Sequence, residues 1–361
     1  MPLLSTDTPT SGLDRAEVAR VAIDVDGTDI TRGDDGISVL RVEVRHELGR
    51  PSSCVIETAD LEAVDLEWID GSAVQEGRPM TIAMGLGETT RPVFVGEILG
   101  LDLDVGPDEA PKVSIRGYDR LHRLARARKT RVFLNQRDSQ IAATIAQEHG
   151  LRLEGPESKL THPYVMQREQ TDLAFLLARA RGLGHVLRVE DTALHFGPRE
   201  LASDGSVVAT MGKNLLSLHV STSLLGQVGA VAARGWDPAE QKPLVAEVAE
   251  SELASRMGGS TSGPRLADEA FDPETSVVTD LAIVSADAAK LAAAAELEAL
   301  ALGHVRCRGR LLGTATLRPG VILTLKGFGG RLSGNYWLTS VVHTYDREGF
   351  TTDFEGSRTA T

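Results

Sequence analysis

Through the first third of the chain, apolar and polar residues alternate. Val21, Ile23 and Val25 run into an Asp26-Gly27 turn. Leu40, Val42 and Val44 alternate with Arg41, Glu43 and Arg45, and Cys54 with Ile56, then Ile82, Met84 and Leu86, then Val113 and Ile115 keep the same period. A period of two places every second side chain on one face of a strand, so residues 17–118 are predicted to form several short strands with one buried face. Val93–Val105 is long for a strand, and Gly96 and Gly100 are points where it would bulge or bend. A small antiparallel barrel is the expected arrangement. The polar residues 1–16 before it read as a flexible N-terminus.

At Tyr118 the period changes to about 3.6. Asp119 caps a short helix carrying Leu121 and Leu124, Arg131–Leu134 reads as a strand, and Ile141, Thr144 and Ile145 mark a second helix ended by Gly150. Thr171 is an N-cap with Asp172 as a favourable first-turn anion. Leu173, Leu176, Leu177 and Ala180 then form one apolar stripe, stopped by Gly182 or Gly184. A hairpin follows, with Val186, Leu187 and Val189 on one strand, Glu190, Asp191 and Thr192 in the turn, and Leu194 and Phe196 on the return, closed by Gly197 and Pro198. Residues 119–200 are therefore expected as an α/β connecting module.

Strand patterns resume in Leu216–Thr222 and Val228–Trp236, break off, and return in Val305–Leu317, Val321–Gly327, Tyr336–Tyr345 and Phe350–Phe354. The predicted class is α+β, mainly β: two small antiparallel β-barrels joined by an α/β module. Residues 17–118 form the first barrel and residues 201–236 plus 304–356 the second. The interruption, 237–303, holds a Gly/Ser-rich stretch at Met257–Pro264 and an Ala-rich helix at Ala286–Leu302, and is expected to dock on its neighbours as an insertion. Residues 357–361 read as a C-terminal tail.

Composition sharpens this picture. Aromatic residues make up only 4% of the 361, so the cores must be built from Val, Leu, Ile and Ala. The first fourteen residues contain no Lys or Arg, and no uncharged apolar run is long enough to span a bilayer, so a soluble chain made in the cytoplasm, without membrane insertion, is expected. Cys54 and Cys307 sit far apart on strand patterns and read as buried thiols. Residues 1–118 hold 23 Asp and Glu against 10 Lys and Arg, which is −13, the whole net charge of the chain. That field disfavours nonspecific nucleic-acid binding and suits either a solvated surface or a basic partner face.

Familiar chemical motifs are incomplete. Asp24–Asp29 lacks the Gly and Glu of a calcium loop, and His46-Glu47 lacks the second His of a zinc-protease helix. Gly212-Lys213 is not a phosphate loop, Gly327, Gly329 and Gly330 are not a dinucleotide fingerprint, and no Gly-x-Ser-x-Gly elbow occurs. Asp102 and Asp104 share a strand face and read as an acid–base pair or as a solvated, channel-lining face. His185 and His195 straddle the hairpin and could meet across it, as a pair or with a metal. Arg120, Arg123, Arg126, Arg128, Lys129 and Arg131 form the one basic cluster, suited to intersubunit ion pairs with the acidic first region or, lacking interleaved aromatics, less well to nucleic acid. No catalytic, cofactor or metal residue is assigned.

Four places in order resemble the phage late control gene D family, the baseplate hubs of contractile tails and the hub portion of type VI secretion VgrG spike proteins. They are Arg116–Leu124 with Phe133; the Asp138–Gly150 helix; the block from Gln167 to Phe196, with Gln167, Gln170, Thr171, Asp172, Leu173, Phe175 and Leu176; and a C-terminal set with Pro319, Gly320, Gly334, Tyr336, His343 and Phe354. The resemblance implies structural roles for these residues, Gly320 turning the chain and His343 lying near the barrel closure. It further implies a homotrimer whose two barrels per chain make a pseudo-sixfold ring, adapting a sixfold inner tube to a threefold spike. The implied partners are a separate spike protein, since the chain stops soon after Phe354, a tail tube or tube-initiator protein and baseplate wedge proteins, with no specific nucleic acid. Localisation would follow: cytoplasmic synthesis, then the baseplate of a phage tail or injection particle. A tail-associated cell-wall hydrolase is the alternative, with 237–303 the segment free to hold such a domain.

Overall fold

The computed structural model describes residues 18–32, 37–58, 74–106, 111–202, 205, 207–237, 240–279 and 283–361; the N-terminal residues 1–16 lie outside them. The fold is α+β and mainly β. The first β region comprises β1 (Ala19–Val25), β2 (Thr28–Asp29), β3 (Val39–Glu47), β4 (Ser53–Thr58), β5 (Pro79–Leu86), β6 (Arg91–Asp104) and β7 (Lys112–Tyr118), ordered β3-β4-β7-β6-β5-β1-β2. The alternation works as expected, because Ile23, Val25, Val42, Val44, Ile56, Ile82, Met84 and Ile115 all point into one core. Leu40 departs from its series. A register shift between Val39 and Arg41 leaves it exposed. A second shift between Ile98 and Gly100 bends the long β6. Asp26 and Gly27 turn the β1–β2 hairpin at positive φ, with the Gly27 N–H donating to Asp24 Oδ1 at 2.9 Å.

The α/β module begins with a 3-10 turn at Arg120–Ala125 and continues through β8 (Arg128–Arg137), α1 (Asp138–Glu148), β9 (Arg152–Glu154), β10 (Thr161–Thr171), α2 (Asp172–Leu183), β11 (His185–Glu190) and β12 (Ala193–Pro198). Its core joins Leu121, Leu124, Ile141, Ile145, Leu176, Leu187, Leu194 and Phe196, with Phe133 stacked on Phe175 at 5.8 Å. Thr171 Oγ1 caps α2 by accepting from the Ala174 N–H at 3.1 Å, and Gly184, rather than Gly182, closes the helix in the left-handed conformation.

The second β region contributes β13 (Val207–Thr210) and β14 (Leu215–Thr222), then β15 (Ala230–Asp237) and β16 (Lys242–Ala249), helix α3 (Gly263–Ala270), β17 (Thr275–Val278), helix α4 (Ala286–Ala301), and finally β18 (Val305–Leu312), β19 (Ile322–Lys326), β20 (Gly334–Asp346) and β21 (Gly349–Arg358). No closed barrel is found among the described residues. β20 pairs antiparallel with β3, Ser340–Tyr345 against Glu47–Val42, and this ladder fuses both regions into one 13-stranded sheet that does not close on itself among the described residues. The joint is favoured because its alternation is in phase. Val341 faces His46, His343 faces Val44 and Tyr345 faces Val42, so the inner row continues unbroken across it. Each region nevertheless keeps its own core. Leu215, Val305, Leu311, Leu323, Leu325, Leu338 and Phe354 pack together in the second, while Phe350 crosses into the first. Cys54 and Cys307 are buried thiols, one in each core; burial pushes Cys54 well up and Cys307 to about 12.

The insertion is larger and better ordered than its sequence implies. β15, expected in the second barrel, instead pairs with β16 and β17 in a separate three-stranded sheet. Its inward Val231 and Ala233 pack with Leu244, Val248, Ile283 and the small side chains Ala289, Ala292 and Ala293 of α4. The alanines allow helix and sheet to approach closely, and that packing outweighs addition of β15 to the main sheet. The Gly/Ser stretch is held in place by the C-terminus. Thr361 O accepts from the Ser260 and Thr261 N–H groups at 2.9 and 3.2 Å, and Thr359 O from Gly263 at 3.1 Å. Residues 357–361 therefore are not a loose tail, since Ser357 and Arg358 end β21 and Thr359 and Ala360 are fully buried.

Candidate functional site

The block from Gln167 to Asp172 converges on one buried carboxylate. The Asp172 side chain is 1% exposed at the first turn of α2. Lys129 Nζ and Arg131 Nη2 each lie 2.7 Å from it, His149 Nε2 lies at 2.8 Å and Gln167 Nε2 donates to Oδ1 at 2.9 Å. Gln167, fully buried, also accepts from Arg131 Nε at 2.7 Å and donates to the Gln170 carbonyl at 3.0 Å. Burial alone would raise the Asp172 pKa, but the hydrogen bonds from His149, Lys129 and Gln167 outweigh it and hold the carboxyl below its ordinary range. The motif thus ties the start of α2 to β8, β10 and the end of α1. Leu173, Phe175 and Leu176 follow it into the module core, where they meet Phe196.

Glu148, His149 and Asp172 bring ligand atoms within 4.8 Å of one another, the one such triplet among the described residues. Its chemistry is not that of a metal site. Two fixed cations already occupy the Asp172 oxygens, and Glu148 also holds Lys129 at 2.9 Å. The same arrangement recurs twice. Asp138 is held by Arg179 Nε and by His162 at 2.8 Å, and Glu97 by Arg123 and by His122 at 2.9 Å. In both, burial is outweighed by these partners and the carboxyl sits below its ordinary range. The basic cluster is therefore largely consumed inside the chain. Arg120, Arg123, Lys129 and Arg131 all have intramolecular carboxylates, which corrects the expected intersubunit pairing of these residues.

Other sequence candidates separate. Asp102 closes a two-point ion pair with Arg116, Oδ1 at 2.9 Å and Oδ2 at 2.8 Å, so both of its oxygens are engaged by the guanidinium rather than by Asp104. His185 and His195 do not meet, because the register sets His185 opposite Pro198 and His195 opposite Arg188. His185 packs edge-on to Phe196, whereas His195 Nε2 lies within 3.5 Å of both Glu154 and Glu190. The proximity of His195, with Arg188 adding to it, draws the Glu190 carboxyl down to about 2.

The C-terminal motif shapes the sheet joint. Gly320 turns at φ 89°, donates its N–H to Leu338 O at 2.8 Å and accepts from Trp337 Nε1 at 3.2 Å. Pro319 precedes it. Gly334 leaves room for the buried Arg358 guanidinium, which a Cβ there would meet at 2.9 Å and which lies over the Tyr336 ring at 5.7 Å. Tyr336 Oη donates to Leu332 O at 2.7 Å, and Phe354 lies in the second core. His343 sits on the β20–β3 joint, edge-on to His46 at 5.8 Å. Its Nε2–H donates to Leu317 O at 3.2 Å and its Nδ1 accepts from Thr352 Oγ1 at 3.1 Å, an assignment that makes the ring neutral. His46 Nε2–H donates to Val93 O at 2.9 Å. Burial, with Arg318 adding to it, pushes His46 down to about 3; burial, then His46 and Arg318, push His343 down as well. Nothing in the sequence near His46 or Arg318 signals this pair, which depends on strands almost three hundred residues apart.

Comparisons with known proteins fit this architecture. No curated protein matches the sequence. Among solved structures, the chain is similar to the 43 kDa tail protein of prophage MuSo2 from Shewanella oneidensis, at 14% identity and a TM-score of 0.68 over 94% of this chain and 98% of that one. It is similar to the tail protein from Neisseria meningitidis MC58, at 12% identity and a TM-score of 0.66 over 94% and 96%. It also resembles the E. coli c3393 protein, a type VI secretion component with structural similarity to the T4 tail proteins gp27 and gp5, at 15% identity and a TM-score of 0.61 over 94% and 77%. At such identities the likeness is one of fold. The family profile described as the Alg8 N-terminal domain matches residues 15–347, and the chain belongs to that family.

Proposed function

We propose that this chain is a structural baseplate hub of a contractile phage tail or contractile injection system, of the kind the late control gene D resemblance implies. The observation that carries the reading is a fold shared with a prophage tail protein and a second tail protein over nearly the whole length of both chains. On this reading the two β regions, each with its own core, act as two equivalent units per chain, so three copies supply six. Such a ring meets a sixfold tube on one face and a threefold spike on the other. Its partners are two further copies, a separate spike protein, a tube or tube-initiator protein and baseplate wedge proteins, and the assembled chain resides in the particle's baseplate. The Gln167–Phe196 block and the C-terminal motif act as braces that fix the module and the sheet joint. The chain performs no chemistry of its own. Light scattering of the chain purified with its spike tests this: three times the 38.6 kDa chain mass is expected in the complex, and a chain that stays monomeric with the spike present refutes it.

A further inference from the structure

Two sheets of this chain are packed on one face and bare on the other. The β8–β10 ribbon sends Phe133 and Val165 into the module core, with Phe133 stacked on Phe175 of α2. Its outer face sets Val132 opposite Met166 and Leu134 opposite Tyr164, and all four are exposed, Leu134 at 61% and Tyr164 at 58%. Val132-Phe133-Leu134 and Tyr164-Val165-Met166 are thus apolar on both faces, the pattern of strands covered twice rather than of a sheet with one side in water. The β16–β15–β17 sheet repeats this arrangement. It packs Val231, Ala233, Leu244 and Val248 on α4, while its outer face exposes Trp236, 53% accessible opposite Pro243, together with Val245 and Val277.

Helices α2 and α4 meet between the two sheets, with Arg181 Nη2 3.6 Å from a Glu296 carboxylate oxygen and Ala295 packed against Gly184. Each bare face turns away from its own helix, so neither covers the other within one copy. Their charges are complementary. Arg168 continues the outer row of β10 and Glu169 follows at its bulge, while Arg234 and Glu247 stand two positions from Trp236 and Val245 on the outer face of the other sheet. None of these four closes an ion pair among the described residues. Each face therefore offers one free cation and one free anion to the other.

We infer that the outer face of the β8–β10 ribbon in one copy packs on the outer face of the β16–β15–β17 sheet in a second copy, a contact that rests on the trimeric reading above. A face paired with its own twin would be spent in a dimer and leave the other face bare. One face on the other uses both in every copy, a head-to-tail contact that closes when rotation brings the third copy back to the first. The two apolar faces with their charged rims amount to on the order of 1,000 Å² of surface, enough for a specific contact. The core of that contact is apolar, and its charged rim fixes which face meets which.

Mixing two variants tests it, on the full chain with its spike. Leu134→Glu with Tyr164→Glu spoils the first face, and Trp236→Glu with Val245→Glu the second. Each variant alone should trimerise at least roughly 100-fold more weakly, because it buries unpaired carboxylates, while the thermal midpoint of the monomer holds, because all four side chains are exposed. An equimolar mixture restores one sound contact per pair, so a tag on either variant should capture the other one-to-one where neither captures a second copy of itself. In the parent chain, Met166 and Trp236 should resist hydroxyl-radical oxidation in the trimer and react in the monomer, a readout that needs no substitution. Undiminished trimer formation by either variant, or a mixture that captures no better than the separate variants, overturns the inference and leaves the hub reading standing. Protection of Met166 and Trp236 only after further particle proteins bind assigns the faces to another partner and overturns it as well. A parent chain that never trimerises with its spike sinks the hub reading itself.

Discussion

Acidification should loosen the joint between the two β regions, and His46 sets how much. Its imidazole is buried on β3 against His343 of β20, and its pKa falls from 6.5 to about 3 through burial and then Arg318. Above pH 6.5 the ring is neutral in both the folded and unfolded chain and contributes nothing to pH dependence. Below it the unfolded chain binds a proton that the folded one refuses, so stability is lost as the pH falls from 6.5 toward 3. At 1.36 kcal/mol per pKa unit, the His46 contribution between pH 7 and pH 4.5 is a loss of roughly 2 to 3 kcal/mol. Asp119 acts the other way, because burial raises its pKa to about 6 and protonation below that value favours the folded chain. Comparing the parent with His46→Gln removes this term, which is common to both. Gln keeps a donor for Val93 O, so the substitution mainly deletes the titration. Urea unfolding at the two pH values should show the variant's deficit at pH 7 shrinking, or reversing, by roughly 2 to 3 kcal/mol at pH 4.5. Parallel pH dependences for the two chains would refute the reasoning.

Asp172→Asn should cost about 3 kcal/mol in urea unfolding, because Arg131 and Lys129 lose their shared buried partner while Glu148 still screens them; a loss below about 1 kcal/mol would show that the network is not a brace. Deleting residues 359–361 removes six hydrogen bonds to the 255–263 stretch and should cost about 3–5 kcal/mol, with faster amide exchange at Ser260, Thr261 and Gly263; unchanged exchange there would contradict the pinning. Purified chain should leave peptidoglycan intact, and hydrolysis abolished by Asp102→Asn or Asp104→Asn would overturn the structural reading.

Much of this fold is visible in local pattern. The alternation of β3, the Thr171 cap and the glycine stop of α2 can each be read from a few neighbouring residues. β10 escapes that reading, because its inward row includes the polar Gln167 beside Val165 while Tyr164 and Met166 face solvent. That inversion makes sense only once Asp172 and Arg131 are in place to satisfy Gln167. The position of β15 is undetermined for a different reason: its alternation suits either sheet, and the choice rests on an alanine-rich helix some fifty residues later. The fusion of the two regions is likewise absent from the pattern of β3, since a strand's side chains do not reveal which strand will take its free edge. The paired acids of the arginine cluster come from Glu97, Glu148 and Asp172, brought close by folding alone.

The hub proposal is tested most directly by electron cryomicroscopy of the particle that contains this chain. The account predicts three copies around the axis, between the last tube ring and the spike, with both β regions of each copy related by rotations near 60°. Density for the chain at another place in the particle, or in a copy number other than three at that junction, would contradict it.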